Sequence, residues 1–287
     1  MAAEANPTLQ RLLLRRALRT AREQAQHTQI QVAAAMDWSE SKLLRIESGQ
    51  SSISINDLLA LLELYKVTDA ELVSRLRGYA REGRREPWTE YRDVLKPEFL
   101  TYVALEGIAH RIWHFNPMLV PGLLQTADYA ERTISLFAAS GTSADVLHRQ
   151  REARLRRQRI FATAEPPVVH CILDEAVIRR IADSGDPVHR GQLQHLLDAA
   201  RQPISTIQVL PFDRGLHAGL GGPFTILGLP GGCADGDCVY VERSRGESAL
   251  RESSADVARY RDIFAGLADA AAGPDTTAEL IDRLLRD

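Results

Sequence analysis

The chain of 287 residues has no excess of basic charge, since 35 Lys and Arg stand against 38 Asp and Glu for a formal net charge of -3. The crude mark of many nucleic-acid binders is therefore missing, and any such surface has to be local, made by where the arginines fall. Cysteine is scarce, with only Cys171, Cys233 and Cys238, too few and too unevenly placed for a secreted disulfide framework. No stretch approaches the roughly 18 apolar residues that span a bilayer, and Met1 to Leu9 has no apolar signal core. A cytoplasmic protein without membrane partners is expected. Hydrophobic residues at 45% and charged residues at 25% argue against wholesale disorder and are enough to build two ordinary domains.

Chemistry-bearing motifs are also few. No Gly-x-Ser-x-Gly elbow occurs, and Gly219-Leu220-Gly221-Gly222 lacks the Lys-Ser/Thr ending of a phosphate loop, so it reads as a turn feeding a strand at Phe224. Cys233 and Cys238 have a poor zinc-knuckle spacing. His110 and His114 sit at i, i+4, but Arg111 stands where a zinc protease needs glutamate. Asp174-Glu175 follows a strand-like run and reads as a helix cap before a candidate for acid–base work. Neither an enzyme nor a resident cofactor or metal is expected.

The pattern that is present divides near Gly83-Arg84-Arg85-Glu86-Pro87, a polar breaker run. Residues 1–85 read as five short helices: Leu9 to Gln26, Gln29 to Met36 capped by Thr28, a third capped by Ser39 and stopped by Gly49, a leucine-rich fourth starting at Ser54 or Asn56, and Asp69 to Glu82. Residues 86–287 alternate helices with β-branched runs. Strands are expected at Val168–Leu173, Ser205–Leu210, Phe224–Leu229 and Cys238–Val241, with Glu247–Leu250 a candidate fifth. Helices are expected at 97–112, 126–139, 144–161, 188–200, 255–272 and 277–286. The fold class is α+β overall, an all-α five-helix domain followed by an α+β domain with a modest sheet.

The strongest local signal runs from Thr28 to Gly49. Two short helices joined at Asp37-Trp38 must cross steeply, and Ala33 lets them approach. Leu43 and Ile46 face inward at i, i+3, which leaves Glu40, Ser41, Leu44 and Arg45 outward. A helix presenting short polar and cationic groups from its first turns fits the DNA major groove.

Thr28-Gln29, Val32-Ala33, Ser39-x-Ser41 and Leu43-x-Arg45-Ile46-Glu47-x-Gly49 resemble the Xre-type, phage-repressor-like helix-turn-helix family. The resemblance implies a sequence-specific regulator that binds double-stranded DNA, as a homodimer because one such helix reads only a few base pairs. It makes Glu40, Ser41, Leu44 and Arg45 base-reading: Arg45 toward guanine O6 and N7, Glu40 toward cytosine N4, Leu44 toward a thymine methyl. It makes Gln29, Ser39, Lys42 and Ser48 phosphate-binding. It places Arg22 and Glu47 as an ion pair that holds helices one and three. Departures are Asp37 for the usual turn glycine, which needs another turn geometry or an αL aspartate, His27 for leucine, and Ser48 and Gln50 for commoner basic or amide residues. Arg11, Arg15, Arg16, Arg19 and Arg22 either steer DNA or form a solvated face.

Beyond residue 88, Trp88-Thr89-Glu90-Tyr91, Val120 to Thr126, Leu173 to Val177, Gly221 to Phe224, Val239 to Glu242 and Ala258-Arg259-Tyr260 resemble the large C-terminal domain of an antitoxin-like actinobacterial class of these regulators. That class implies a sensing or partner-binding domain and a small partner protein encoded nearby. The alternative function is therefore an antitoxin-like interaction module whose DNA binding is autoregulatory. The densest basic run, Arg149, Arg151, Arg154, Arg156, Arg157 and Arg159, points around its whole helix and reads as solvated or as a dock for an acidic partner.

Overall fold

A computed structural model of the chain describes residues 6–49, 51–83, 88–230, 237–242 and 248–286. Gln50, most of the polar run at 84–87, Cys233 and Glu247 lie outside the described residues. Two compact units are present, Met1–Thr89 and Glu90–Asp287.

The first unit is α1 (Pro7–Gln24), α2 (Gln29–Ala35), α3 (Glu40–Glu47), α4 (Ile55–Leu64) and α5 (Ala70–Glu82). Each begins on a side chain that satisfies free N–H groups of the first turn. Asn6 Oδ1 accepts from Thr8 N at 2.9 Å, Ser54 Oγ from Asp57 N at 3.0 Å, and Asp69 Oδ1 from Glu71 N at 2.9 Å. Thr28 and Gln31 form a reciprocal capping box. The stops are as local as the starts. Gln26, Asp37 and Lys66 adopt the left-handed conformation with φ of 57°, 53° and 57°, and Gly49 does so with φ of 78°. At the end of α2, Trp38 N donates to Ala33 O at 2.8 Å and Asp37 N to Ala34 O at 3.3 Å, which is a Schellman stop. The turn thus uses an αL aspartate in place of glycine. Inside, Leu18, Val32, Leu43, Leu58, Leu61 and Leu76 form one buried cluster, so the i, i+3 pair of α3 does face the core at Leu43 and Ile46.

The second unit is α+β. Its elements are α6 (Pro97–Glu106), β1 (Arg111–Asn116), α7 (Ala127–Phe137), α8 (Ala144–Arg157), β2 (Val168–Asp174), α9 (Glu175–Ala182), α10 (Pro187–Ala200), β3 (Ser205–Leu210), β4 (Phe224–Gly228), β5 (Cys238–Glu242), β6 (Ser248–Arg251), α11 (Ser254–Ala270) and α12 (Pro274–Arg286). One six-stranded sheet has the order β3-β2-β1-β4-β5-β6. β1, β2 and β3 run parallel, with Phe115 opposite Ile172, and β4 joins β1 antiparallel, with Phe115 opposite Phe224. Two expectations are corrected. The helix expected at 97–112 stops at Glu106, and the residues after it form an inner strand of the sheet. α9, which was not among the expected helices, starts on Asp174, whose Oδ1 accepts from Ala176 N at 2.9 Å.

Side chains alternate across the sheet with period two. Phe115, Ile172, Leu210, Phe224, Ile226 and Val239 meet Val257, Phe264 and Leu267 of α11 on one face. On the other face Tyr102 of α6 stacks on Tyr240 at 4.2 Å, and His114 Nδ1 lies 2.7 Å from Thr225 Oγ1. His114 thus sits on a strand within the sheet, where burial first and then the Arg157 charge depress its pKa to about 3. The outer edge of β3 is occupied: Val209 N donates to Thr277 Oγ1 at 3.0 Å and Val209 O accepts from Ala272 N at 2.8 Å.

The arginine run of α8 is neither solvated nor a free dock. Arg157 is buried, its side chain 6% exposed, and its guanidinium forks onto the Glu106 carboxylate with Nε–Oε1 of 3.1 Å and Nη2–Oε2 of 2.6 Å. Phe99 and Tyr102 lie under the same guanidinium at 5.0 and 5.4 Å. Arg154 donates to Gln125 Oε1 at 2.7 Å, Arg151 pairs with Glu131 at 3.3 Å, and Arg149 and Arg156 pair with Asp93 and Glu90. The run therefore ties α8 to its surroundings.

Two stability changes are expected. Asp37→Gly removes the αL penalty of an L residue and raises the unfolding free energy of the first unit by about 0.5–1 kcal/mol. Arg157→Met leaves Glu106 as an uncompensated buried carboxylate and lowers stability by about 3–5 kcal/mol. Urea unfolding of the full chain followed by circular dichroism measures both.

Candidate nucleic-acid interface

The buried carboxylate of Glu47 organises the surface around α3. Its side chain is 3% exposed, and it accepts from Arg22 Nε at 2.7 Å and Nη2 at 3.2 Å. Gln29 Nε2 donates to its second oxygen at 2.7 Å. Arg22 Nη1 also donates to His27 O at 3.0 Å. One carboxylate thereby joins α1, the start of α2 and the end of α3. Its hydrogen bond, and then its charge, raise the Arg22 pKa against a smaller desolvation effect. The nearby Tyr65 phenol is pushed up by burial and then by the Glu47 charge.

The other α1 arginines have a related role. Arg19 Nη2 donates to Glu47 O at 2.9 Å and Arg15 Nη1 to Ser48 O at 3.3 Å. Arg15, Arg19 and Arg22 recur at i, i+4, i+7 on one face of α1, and two of them close the free carbonyls at the negative end of the α3 dipole. For these residues neither DNA steering nor a solvated face describes what is seen. The spacing was readable in the sequence; the partner, some thirty positions away, was not.

On the far side of α3, Glu40, Ser41, Leu44 and Arg45 are all exposed, Leu44 by 56%. Arg45 lies back along its own helix, with Nε donating to Ser41 O at 3.2 Å. Ser39 caps α3 by accepting from Lys42 N at 3.3 Å, and its hydroxyl is 3.1 Å from that of Ser41. Lys42 is half-buried, its ammonium 3.3 Å from Asp57 Oδ2 and 3.8 Å from the centre of the Trp38 ring. Ser48 Oγ donates to Arg45 O at 3.2 Å. Gln29 stands at the start of α2, half-buried through its bond to Glu47. Arg19, Arg22, Gln29, Leu44 and Ser48 border one open depression of about 520 Å³ between α1, α2 and α3. Four exposed side chains and an anion-favouring helix start therefore flank a single concavity whose lining includes two arginines.

Among the described residues, no group of three His, Cys, Asp or Glu side chains is placed to hold a metal ion. No helix among them is long and apolar enough to cross a membrane.

Arg22→Met strands the Glu47 carboxylate with one side-chain donor and is expected to lower stability by about 3 kcal/mol, read from the urea midpoint of the full chain.

Residues 13–76 match a family model described as a helix-turn-helix domain, and residues 99–283 match one described as a Domain of unknown function (DUF5753). No curated protein and no solved structure matches the chain. The second match covers more than half of the 287 residues, so the protein belongs to the family of the Domain of unknown function (DUF5753), with a helix-turn-helix domain ahead of it.

Proposed function

We propose that the chain is a sequence-specific transcriptional regulator of Xre type, working in the cytoplasm as a dimer and reading the DNA major groove with residues 39–48. One observation carries this: α3 buries Leu43 and Ile46 and turns Glu40, Ser41, Leu44 and Arg45 outward, within a matched helix-turn-helix domain. Sequence is read at base edges in the major groove, and phosphate contacts set the register.

In this reading Arg45 exchanges its bond to Ser41 O for a fork onto guanine O6 and N7, a small local cost because the side chain is exposed. Glu40 accepts from cytosine N4, Ser41 contacts a neighbouring base, and Leu44 meets a thymine methyl. Gln29 acts as a phosphate clamp. Its amide carries two N–H groups, and the one given to Glu47 fixes the side chain while the other and the α2 start remain for an anion. Ser39, Lys42 and Ser48 supply further backbone contacts, Lys42 from a position set by Trp38 and Asp57. A second copy is needed because one helix covers only a few base pairs. Half-sites roughly 34 Å apart double the contacts.

Selection of bound oligonucleotides from a random pool defines the operator. On that operator, Arg45→Ala is expected to cost about 1–3 kcal/mol and to relax preference at one position, whereas Gln29→Ala weakens binding evenly across sequences. Unchanged affinity and preference in Arg45→Ala would overturn the assignment of α3 as the reading helix.

A further inference from the structure

The connection from β3 to β4, residues 211–223, has its polarity reversed. Loops usually turn polar residues outward. Here Phe212, Leu216 and Leu220 are 58%, 93% and 58% exposed, and Met118, just beyond β1, is 53% exposed. All four lie past the carboxyl ends of the parallel strands β1 and β3.

The loop is nevertheless firmly held. Phe212 N donates to Glu175 Oε2 at 3.0 Å, and His217 Nε2 lies 3.6 Å from Asp174 Oδ2. Gly219 is buried against the Phe115 ring so closely that a β-carbon there would fall 2.4 Å from Phe115 Cζ. Gly215, with φ of 63°, allows the reversal between Arg214 and Leu216. The inner side of the segment is thus pinned by polar and close-packed contacts while its leucines and phenylalanine point to solvent. A preordered apolar surface loses little conformational entropy when it is covered.

We propose that this rim is the surface through which two copies of the chain pair, which rests on the reading of the protein as a dimeric DNA binder and names its interface. Two observations favour a second copy as the occupant. The four side chains expose about 500 Å² of largely apolar surface, near the upper end for a patch on a monomer. That is most of the roughly 800 Å² per partner that a standard interface covers. The charge beside the patch is also self-complementary. Asp213 and Arg214, 82% and 53% exposed, are neighbours of opposite sign. A two-fold axis beside them sets Asp213 of one copy opposite Arg214 of the other, and the reverse, which is the condition an isologous contact must meet.

Sedimentation of the full chain without DNA, across the micromolar range, tests this. The native chain is expected to dimerise. Leu216→Glu, at a position with almost no intramolecular contact to lose, is expected to weaken self-association at least about tenfold with unchanged circular dichroism. Asp213→Arg and Arg214→Asp each place like charges across the axis and weaken it, while the double variant D213R/R214D restores it. A native chain that stays monomeric, or a Leu216→Glu chain that still sediments as the native dimer, overturns the proposal. Occupation of the rim by an unrelated protein or by the first unit of the same chain would appear as the former. The two readings fail separately: Arg45→Ala must dimerise like the native chain, and Leu216→Glu must keep the native base preference on a half-site.

Discussion

A single desolvated anion, the Glu47 carboxylate, sets the geometry on which the rest of the first unit depends. Removing a carboxylate from water costs several kcal/mol, so its oxygens must be met by well-placed donors. Those donors come from two different helices: the Arg22 guanidinium of α1 and the Gln29 amide of α2. A small change in the crossing of α2 and α3 would leave one donor short. The apolar cluster around Leu43 tolerates sliding better than this arrangement does, because dispersion contacts lack direction and hydrogen bonds have it. The carboxylate therefore acts as a registration pin. It fixes which residues of α3 point away from the core and holds the start of α2 beside them.

The second unit repeats the solution with its polarity placed differently. Arg157 and Glu106 are both buried, and the planar guanidinium is sandwiched with aromatic rings, an arrangement lysine could not reproduce. The surrounding arginines of α8 each hold a carboxylate or an amide of another segment. Charge density in this chain is thus chiefly an internal matter. Its near-neutral total follows from acids and bases that meet within each unit, and the exposed cation on α3 stands out against that background.

Local signals were the legible ones. The starts and stops of the five N-terminal helices depend on Thr28, Ser39, Ser54 and Asp69 and on left-handed turns, all encoded within four residues of the boundary, and their limits could be read closely from the sequence. The outward set on α3 was readable for the same reason, through the spacing of Leu43 and Ile46. β1 was not. Glu106 belongs to a helix and Arg111 to a strand, and the apolar residues Ile112, Trp113 and Phe115 fit either period; only Gly107 marked the break. The partners of Glu47, Arg15, Arg19 and Arg157 lie between 18 and 51 positions away along the chain, beyond the reach of any local pattern. The α8 arginines, in particular, show their sign in sequence and their partners only in space.

The sealed flank of β3 has a consequence of its own. An edge strand with open amide and carbonyl groups is a template onto which a foreign chain can add and from which ordered fibrils grow. Here the Val209 amide and carbonyl are taken by Thr277 and Ala272, at the junction of the last two helices. The C-terminal hairpin of helices thus guards the sheet against polymerisation, a duty that would fall on it whatever the domain senses, and any shortening of the chain before residue 272 would uncover the template.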